Sequence, residues 1–343
     1  MNKTGRNQTI PAVSVLMSVY QTPLAMLEQA VTSILQQTFE DFEFLILDDG
    51  SFCDSAPDVN TRHVACTSLR AVLERYAATD ARVHLYFEPH RGLTRTLNRG
   101  LKLARGKYVA RQDADDWSDL GRLKQQYQFL ETHADLSVCG SNAWMHQQDG
   151  SRLWPTHLPE TCEQIWDAFW KGNPFVHGST MFLSAAAQAI GGYCQEFPCS
   201  QDYDFFWRLS EVGGAATLCE PLYHYRFTGG SVSVKRAAEQ ARVHIAAQIL
   251  ARARREGQSR EVSSALAEAK RQLSAQSGWF HAALKQADHR LLAGDYSGSL
   301  GAYTRLLTER PADPLAWGKL ARWGLFTGFP FLREASFRTK AAG

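Results

Sequence analysis

Along the first third of the chain, short apolar runs alternate with longer stretches whose apolar positions recur every three to four residues. Residues 13–20 (VSVLMSVY) are apolar and β-branched with little alternation, which predicts a strand buried on both faces. Thr22-Pro23 then opens a helix, Thr as cap and Pro at the first helical position, and Leu27, Ala30, Val31, Ile34 and Leu35 follow at helical spacing. A second strand over 42–47 (FEFLIL) runs into Asp48-Asp49-Gly50-Ser51. The pattern goes on to a helix over 68–78, a strand over 82–87, a helix over 93–104 and a strand that ends at Asp113. Strands and helices alternating at this spacing predict an α/β layer with a mostly parallel sheet.

Further on, 173–182 is a Pro/Gly-punctuated turn with a short strand, and Gly191-Gly192 stops a helix. Residues 201–211 (QDYDFFWRLSE) are amphipathic at helical period, with Phe205, Phe206 and Leu209 inward. From about residue 237 the texture changes: Gly and Pro thin out while Ala, Leu, Arg and Gln dominate. This predicts helices over 237–256, 259–292, 296–308 and 315–325. The run from Leu291 to Pro311 resembles one tetratricopeptide-type helix pair, but a single unit is not a repeat array and reads as a helical hairpin.

Composition narrows the class. The 343 residues carry a formal net charge of +2, which argues against nucleic acid as a partner. No signal peptide is recognisable, and no apolar run approaches the ~20 residues of a membrane-spanning helix. The cysteines (53, 66, 139, 162, 194, 199, 219) are scattered, with no CxxC or Cys/His spacing. Free thiols in a reducing cytoplasm are therefore expected.

In open α/β sheets ligands bind at the carboxyl ends of the strands. Here those ends carry Gln21-Thr22, Asp48-Asp49-Gly50-Ser51, Pro89-His90-Arg91-Gly92 and Asp113-Ala114-Asp115. In extended backbone, residues two apart point the same way, so Asp113 and Asp115 can present carboxylates to one spot. That suits a hard divalent cation held by carboxylates together with substrate phosphates. The competing reading is an acidic helix start, with Asp116 or Ser118 capping a helix over 120–133. No GxGxxG and no GxxxxGK[ST] follows any strand, so dinucleotide-binding and P-loop readings lack support. Asp202 and Asp204 fall in a first helical turn, where the helix dipole alone also favours acid.

The order VSVLMSVY, FLILDDGS, RGLTRTLNRGLKLARGKYVARQDADDW, then NPFVHGSTMF, GGYCQEFPCSQDYDFFWRLSEVGG and EPLYHYR closely resembles the family-2 glycosyltransferases of the GT-A fold. The likeness spans residues 11–233. It implies a GT-A-type, Rossmann-like, mostly parallel sheet flanked by helices, followed by an all-α C-terminal extension. It divides the chain into a flexible N-terminus (1–10), a transferase domain (11–236, its halves 11–117 and 118–236) and the helical extension (237–343). By the same resemblance, Asp49 binds the nucleobase, usually uracil, with Tyr20, Asp48 and Ser51 completing that region. Arg91 and Gly92 border the nucleotide and its phosphates. Asp113 and Asp115 match the DXD pair, Asp115 as direct ligand of Mn2+ or Mg2+ and Asp113 as partner of the ribose or of the metal's water shell. Asp202 matches the general base. His177, Gln201 and Arg226 are candidate contacts to acceptor or diphosphate, with a structural turn the competing role for His177.

The implied reaction is single-sugar transfer, with inversion, from a nucleotide diphosphate-sugar, UDP-sugar favoured. The acceptor would be a glycan or lipid-linked hydroxyl in cell-surface polysaccharide synthesis. The competing class is a non-catalytic nucleotide-sugar scaffold or sensor that uses its helical tail to bind a partner. The chain departs from the family pattern at Gln201, where Glu is usual, and at Thr228, where a His is usual, with His224 as its nearest substitute. An unusually long segment, 52–68, is expected as a surface loop. The tail's arginines (Arg252, Arg254, Arg255, Arg260) and late phenylalanines (Phe326, Phe329, Phe331, Phe337) could rest peripherally on the inner face of a membrane, against the alternative of a solvated helix face.

Overall fold

The computed structural model of the chain describes residues 10–51, 59–228, 236–273 and 275–328. In order, the elements are β1 (Val13–Val19), α1 (Leu24–Leu35), β2 (Phe42–Asp49), α2 (Val59–Thr79), β3 (Val83–Glu88), α3 (Leu93–Leu103), β4 (Tyr108–Asp113), β5 (Trp117–Ser118) and α4 (Arg122–Thr132). Then come β6 (Leu136–His146), β7 (Arg152–Pro155), α5 (Cys162–Phe169), a 3-10 turn (His177–Ser179), β8 (Met181–Leu183), α6 (Ser184–Ala189), α7 (Gln201–Val212) and β9 (Gly214–Arg226). Five helices close the described chain: α8 (Ala237–Arg255), α9 (Val262–Gln272), α10 (Ala275–Leu292), α11 (Tyr296–Glu309) and α12 (Pro314–Gly328).

Two compact units form. One gathers the chain up to Gly140 with His177–Tyr193 and Leu209–Ala215; the other gathers Ser141–Val176, Cys194–Arg208 and the chain from Ala216 onward. In the first, the strand order is β3-β2-β1-β4-β8-β6. β1 lies at the centre of the parallel part, in register with β2 (Val13↔Phe42 to Val19↔Asp48) and with β4 (Val13↔Tyr108 to Ser18↔Asp113). Its Val13, Val15, Leu16 and Met17 are all fully buried, which explains the continuous apolar run. β2 pairs with β3 up to Asp49↔Glu88. This register brings Val19, Asp48, Asp49, Glu88 and Asp113 to one edge. Parallel pairing stops at β4: β8 joins it antiparallel (Tyr108↔Leu183), and β6 joins β8 antiparallel (Val138↔Phe182). The sheet is thus parallel on its N-terminal side only.

The second unit contains the β6–β7 hairpin (Trp144↔Pro155) and an aromatic core on α5 and α7, where buried Trp207 stacks on Phe169 at 5.1 Å and meets Trp170 edge-on at 4.8 Å. Trp207 is therefore a packing residue of this core. α8 and α9 pack through Val243, Ala246, Leu250, Ala265 and Ala269 onto Phe197 and Cys199, just before α7. Phe280, Leu284, Tyr303, Leu306 and Ala316 of α10–α12 form a further core.

Several local expectations are corrected. α1 begins at Leu24, with Pro23 rather than Thr22 as its cap and no side-chain capping bond. Neither Asp116 nor Ser118 caps α4, whose N-cap is Gly121; the Ser118 hydroxyl instead donates to Gln112 Oε1 at 2.7 Å. Residues 59–68 continue α2 rather than forming a loop. The single helix expected over 259–292 is two, because the backbone of Leu273 is extended. Residues 1–9, 52–58, 229–235 and 329–343, with Phe329, Phe331 and Phe337, lie outside the described residues. Among the described residues no helix is long and apolar enough to cross a membrane. The basic face of α8 is partly engaged: Arg252 and Arg255 lie over the Trp170 ring at 5.7 and 5.9 Å.

Gly106, in the turn into β4, tests the close approach of that turn to β1. A β-carbon there would come within 2.5 Å of the Ser14 backbone nitrogen, a contact that no side-chain rotation relieves. Gly106→Ala is expected to lose about 1–3 kcal/mol of stability, read as a lower urea midpoint with an unchanged denaturant slope.

Candidate active site

The strand ends of the first unit form a polar loop cluster. Asp49, only 2 % exposed, accepts the backbone N–H of Arg91 at 2.7 Å on one carboxylate oxygen and that of Gly92 at 2.9 Å on the other. His90 Nδ1 lies 3.0 Å from the same carboxylate, and the His90 ring stacks on exposed Tyr20 with centroids 4.2 Å apart. Gly50 carries φ +74°, and a β-carbon there would sit 2.4 Å from the His90 nitrogen; the Asp-Asp-Gly-Ser turn therefore needs glycine both for its backbone and for room. Next to it, Ser51 donates its hydroxyl to Asp48 and accepts the Gln21 N–H at 3.0 Å. Tyr20, Asp48, Asp49, Ser51, Arg91 and Gly92 are thus brought together, with Asp49 tying the β3–α3 loop down. Arg91 is exposed at the rim.

At the end of β4 the organiser is a residue the sequence pattern did not single out. The Arg111 guanidinium, fully buried, donates to the Asp113 carboxylate at 2.5 Å, to the Leu16 and Gln112 carbonyls, and to His177 Nε2 at 3.2 Å. His177 Nε2 also lies 3.1 Å from the Tyr193 hydroxyl. Asp113 and His177 are therefore linked through one cation. The signal available in the sequence was an arginine inside an otherwise apolar strand (YVARQD), a position that a buried charge occupies only when paired. Asp115, two residues on, is half-buried. One carboxylate held by arginine and a second beside it fit a hard cation that takes its other ligands from a diphosphate and water; among the described residues no group of three metal-ligating side chains occurs.

In the second unit, α7 presents two acids with different fates. Asp204 is 2 % exposed and paired with Arg208 at 2.7 Å, one helical turn on. Asp202 is partly exposed and accepts one hydrogen bond at 2.7 Å from the Asn173 side-chain amide. Gln201 and Arg226 are buried. His224 faces His146, Nδ1 to Nε2, at 3.0 Å within this unit. Asn173 is the other contributor to which pattern reading gave no role; His90 was placed at a strand end, without its contact to Asp49.

Residues 14–188 match the family model described as Glycosyl transferase family 2. The chain is 31 % identical over 224 residues to the Putative glycosyltransferase EpsE of Bacillus subtilis, covering 63 % of this chain and 73 % of that one. It is 28 % identical to the O-antigen biosynthesis glycosyltransferase WbnJ of Escherichia coli, covering 62 % and 79 %. Among solved structures, S. aureus TarS 1-349 in complex with UDP-GlcNAc superposes with a TM-score of 0.54 at 17 % identity, over 84 % of this chain and 81 % of that one; the likeness establishes a shared α/β fold.

Burial pushes the Asp48 carboxyl up to about 6, against the pull of its Ser51 hydrogen bonds. A carboxyl raised in the folded state contributes stability that is present below its unfolded value, near 3.8, and lost as pH rises through the folded value. The stability of Asp48→Asn relative to the unmodified chain should therefore grow between about pH 4 and pH 6 and level off above. The total gain is expected to be on the order of 2–3 kcal/mol, measured by urea unfolding across that range. The matched residues, together with a strand-end loop cluster of this kind, make the chain a glycosyltransferase: it belongs to glycosyl transferase family 2.

Proposed function

We propose that the chain moves one hexosyl or N-acetylhexosaminyl group, with inversion, from a nucleotide diphosphate-sugar to an acceptor hydroxyl, UDP-sugars being the favoured donors. The observation that carries this reading is the contrast between the two acids of α7: Arg208 neutralises Asp204, whereas Asp202 keeps a partly exposed carboxylate oriented by a neutral amide. A carboxylate so held can accept a proton. In the proposed step the acceptor oxygen bonds to the anomeric carbon, and the bond from that carbon to the diphosphate breaks with its electron pair left on the diphosphate. The hydroxyl proton passes to Asp202.

The donor half of the reading rests on the loop cluster. Tyr20 and His90 offer a stacked aromatic surface, and the loop that Asp49 holds offers Arg91 and Gly92 at the mouth of the strand ends. Asp115, with Asp113 behind it, would hold Mn2+ or Mg2+, and such a cation offsets the charge developing on a diphosphate leaving group. Arg111 keeps Asp113 in place, and Asp115 stands two residues on. A role in cell-surface polysaccharide synthesis is supported by the name of the O-antigen relative.

Calorimetric titration with UDP, GDP and dTDP, each with and without Mn2+, tests the donor half. One nucleotide is expected to bind in a Mn2+-dependent manner, and Asp115→Ala is expected to abolish that dependence. Asp202→Asn should leave nucleotide binding unchanged while lowering turnover by about 10²–10⁴-fold. Turnover unaffected by Asp202→Asn would contradict its role as base.

A further inference from the structure

The C-terminal helices lie outside the family match, yet one side chain of α8 reaches both segments that build the Asp202 site. α5 ends at Phe169 with Trp170 as its C-cap, so the Phe169 and Trp170 carbonyls have no partner within that helix. Two side chains from elsewhere take them. The hydroxyl of Tyr203, the residue after Asp202, donates to the Phe169 carbonyl. The Gln248 amide of α8 donates to the Trp170 carbonyl at 3.0 Å and lies 3.4 Å from the same Tyr203 hydroxyl. The end of α5, the first turn of α7 and the middle of α8 thus meet at one amide.

From Trp170 the chain runs three residues to Asn173, a reach of at most about 11 Å. The Asn173 amide has one orientation: its Oδ1 accepts the Phe175 N–H at 3.1 Å, which turns Nδ2 to Asp202 at 2.7 Å. Pro174 holds the backbone of Asn173 extended. Buried Phe175 meets Phe206 of α7 edge-on at 5.3 Å and Phe169 at 6.3 Å. Two polar rungs therefore join this segment to α7, Phe169 to Tyr203 and Asn173 to Asp202, and Gln248 braces the first. The other contacts of α8 here are apolar, with Val243, Ala246 and Leu250 on Phe197 and Cys199, and the His244 ring lies 4.4 Å from that of Tyr203. Apolar contact is non-directional and tolerates a slide of α8 along its axis. The Gln248 bond does not, since a slide leaves its amide and the Trp170 carbonyl unpaired.

We propose that Gln248 is a positioning residue for the transfer step. It fixes the spacing of Trp170 from Tyr203, and through that spacing the hydrogen bond by which Asn173 orients the Asp202 carboxylate. The helical extension is thereby part of the catalytic architecture and not a separable appendage. This rests on the reading of Asp202 as base. In this role Gln248 touches no reacting atom, so its loss lowers turnover and leaves donor binding unchanged.

The test uses the full chain labelled with ¹⁵N in its asparagine side chains, the Asn173 signal being assigned by its loss in Asn173→Ala. In the unmodified chain the Asn173 amide is expected to exchange with solvent about tenfold or more slowly than an exposed asparagine. Gln248→Met keeps the length of the side chain and removes its donor. It is expected to shift the Asn173 signal and to lower its protection by about tenfold, while Asn98, whose amide is held by the Tyr193 carbonyl, keeps its signal. A general loss of stability would move both. An Asn173 signal in Gln248→Met identical to that of the unmodified chain would overturn the proposal. So would rapid exchange of the Asn173 amide in the unmodified chain, a result that needs no variant to fold. UDP release from UDP-GlcNAc with Mn2+ reads the consequence: kcat is expected to fall about 10–100-fold in Gln248→Met with KM for the donor unchanged. Unchanged kcat there, where Asp202→Asn loses turnover, also counts against it. Full turnover in Asp202→Asn removes the base reading instead, whereas the spectra alone decide whether Gln248 sets the contact between Asn173 and Asp202.

Discussion

Arg111 is the constraint on which the end of β4 and the loops around it depend. A guanidinium with no solvent exposure is costly unless its donors are paired and its charge is met. Here Asp113 meets the charge, and the Leu16 and Gln112 carbonyls with His177 take other donors. A second fully buried arginine, Arg122 of α4, continues the network. It donates to the Arg111 carbonyl at 2.6 Å, to the Thr180 carbonyl at 3.2 Å and to the Ser118 hydroxyl at 2.8 Å. Two buried cations, one on β4 and one on α4, thus lock the end of β4 to β1, to β5 and to the turn that holds His177. Removing one partner of such a network costs about 3–5 kcal/mol, which is why the geometry behind Asp113 is fixed rather than adjustable.

The same reasoning separates acids that look alike in one dimension. Asp48 and Asp49 are adjacent and both buried, yet Asp48 closes its own turn through Ser51 while Asp49 spends both oxygens on the N–H groups of the next loop. Asp113 belongs to Arg111 and Asp204 to Arg208. Asp113, Asp115 and Asp202 are partly exposed, whereas Asp48, Asp49 and Asp204 are buried. The partner that each carboxylate has in the fold tells these acids apart where the sequence does not.

This division was only partly legible in the chain. The alternation of runs that predicted β1, α1, β2, β3, α3 and β4 did so because strands buried on both faces must be apolar throughout. The strand ends followed from that alternation, and with them the Asp48–Ser51 turn. The antiparallel half was not legible, since β8 is three residues long and carries too little pattern to give its direction. The extension of α2 into 59–68 was hidden by its low apolar content, and the break at Leu273 has no Gly or Pro to announce it. Arg111, Asn173 and Gln248 act through contacts 66, 29 and 78 positions away in sequence. Local periodicity holds no information at that range, although an arginine within an apolar strand was itself a sign of a buried pair.

The central claim is that the donor diphosphate lies at the carboxyl ends of β1, β2 and β4 with a cation on Asp115. The most direct measurement is a crystal structure of the full chain grown with UDP and Mn2+. The account predicts Mn2+ bonded to Asp115 and to the diphosphate, the base near Tyr20 and Asp49, and Asp113 still paired with Arg111. Mn2+ bound away from Asp115, or UDP seated elsewhere on the molecule, would contradict it.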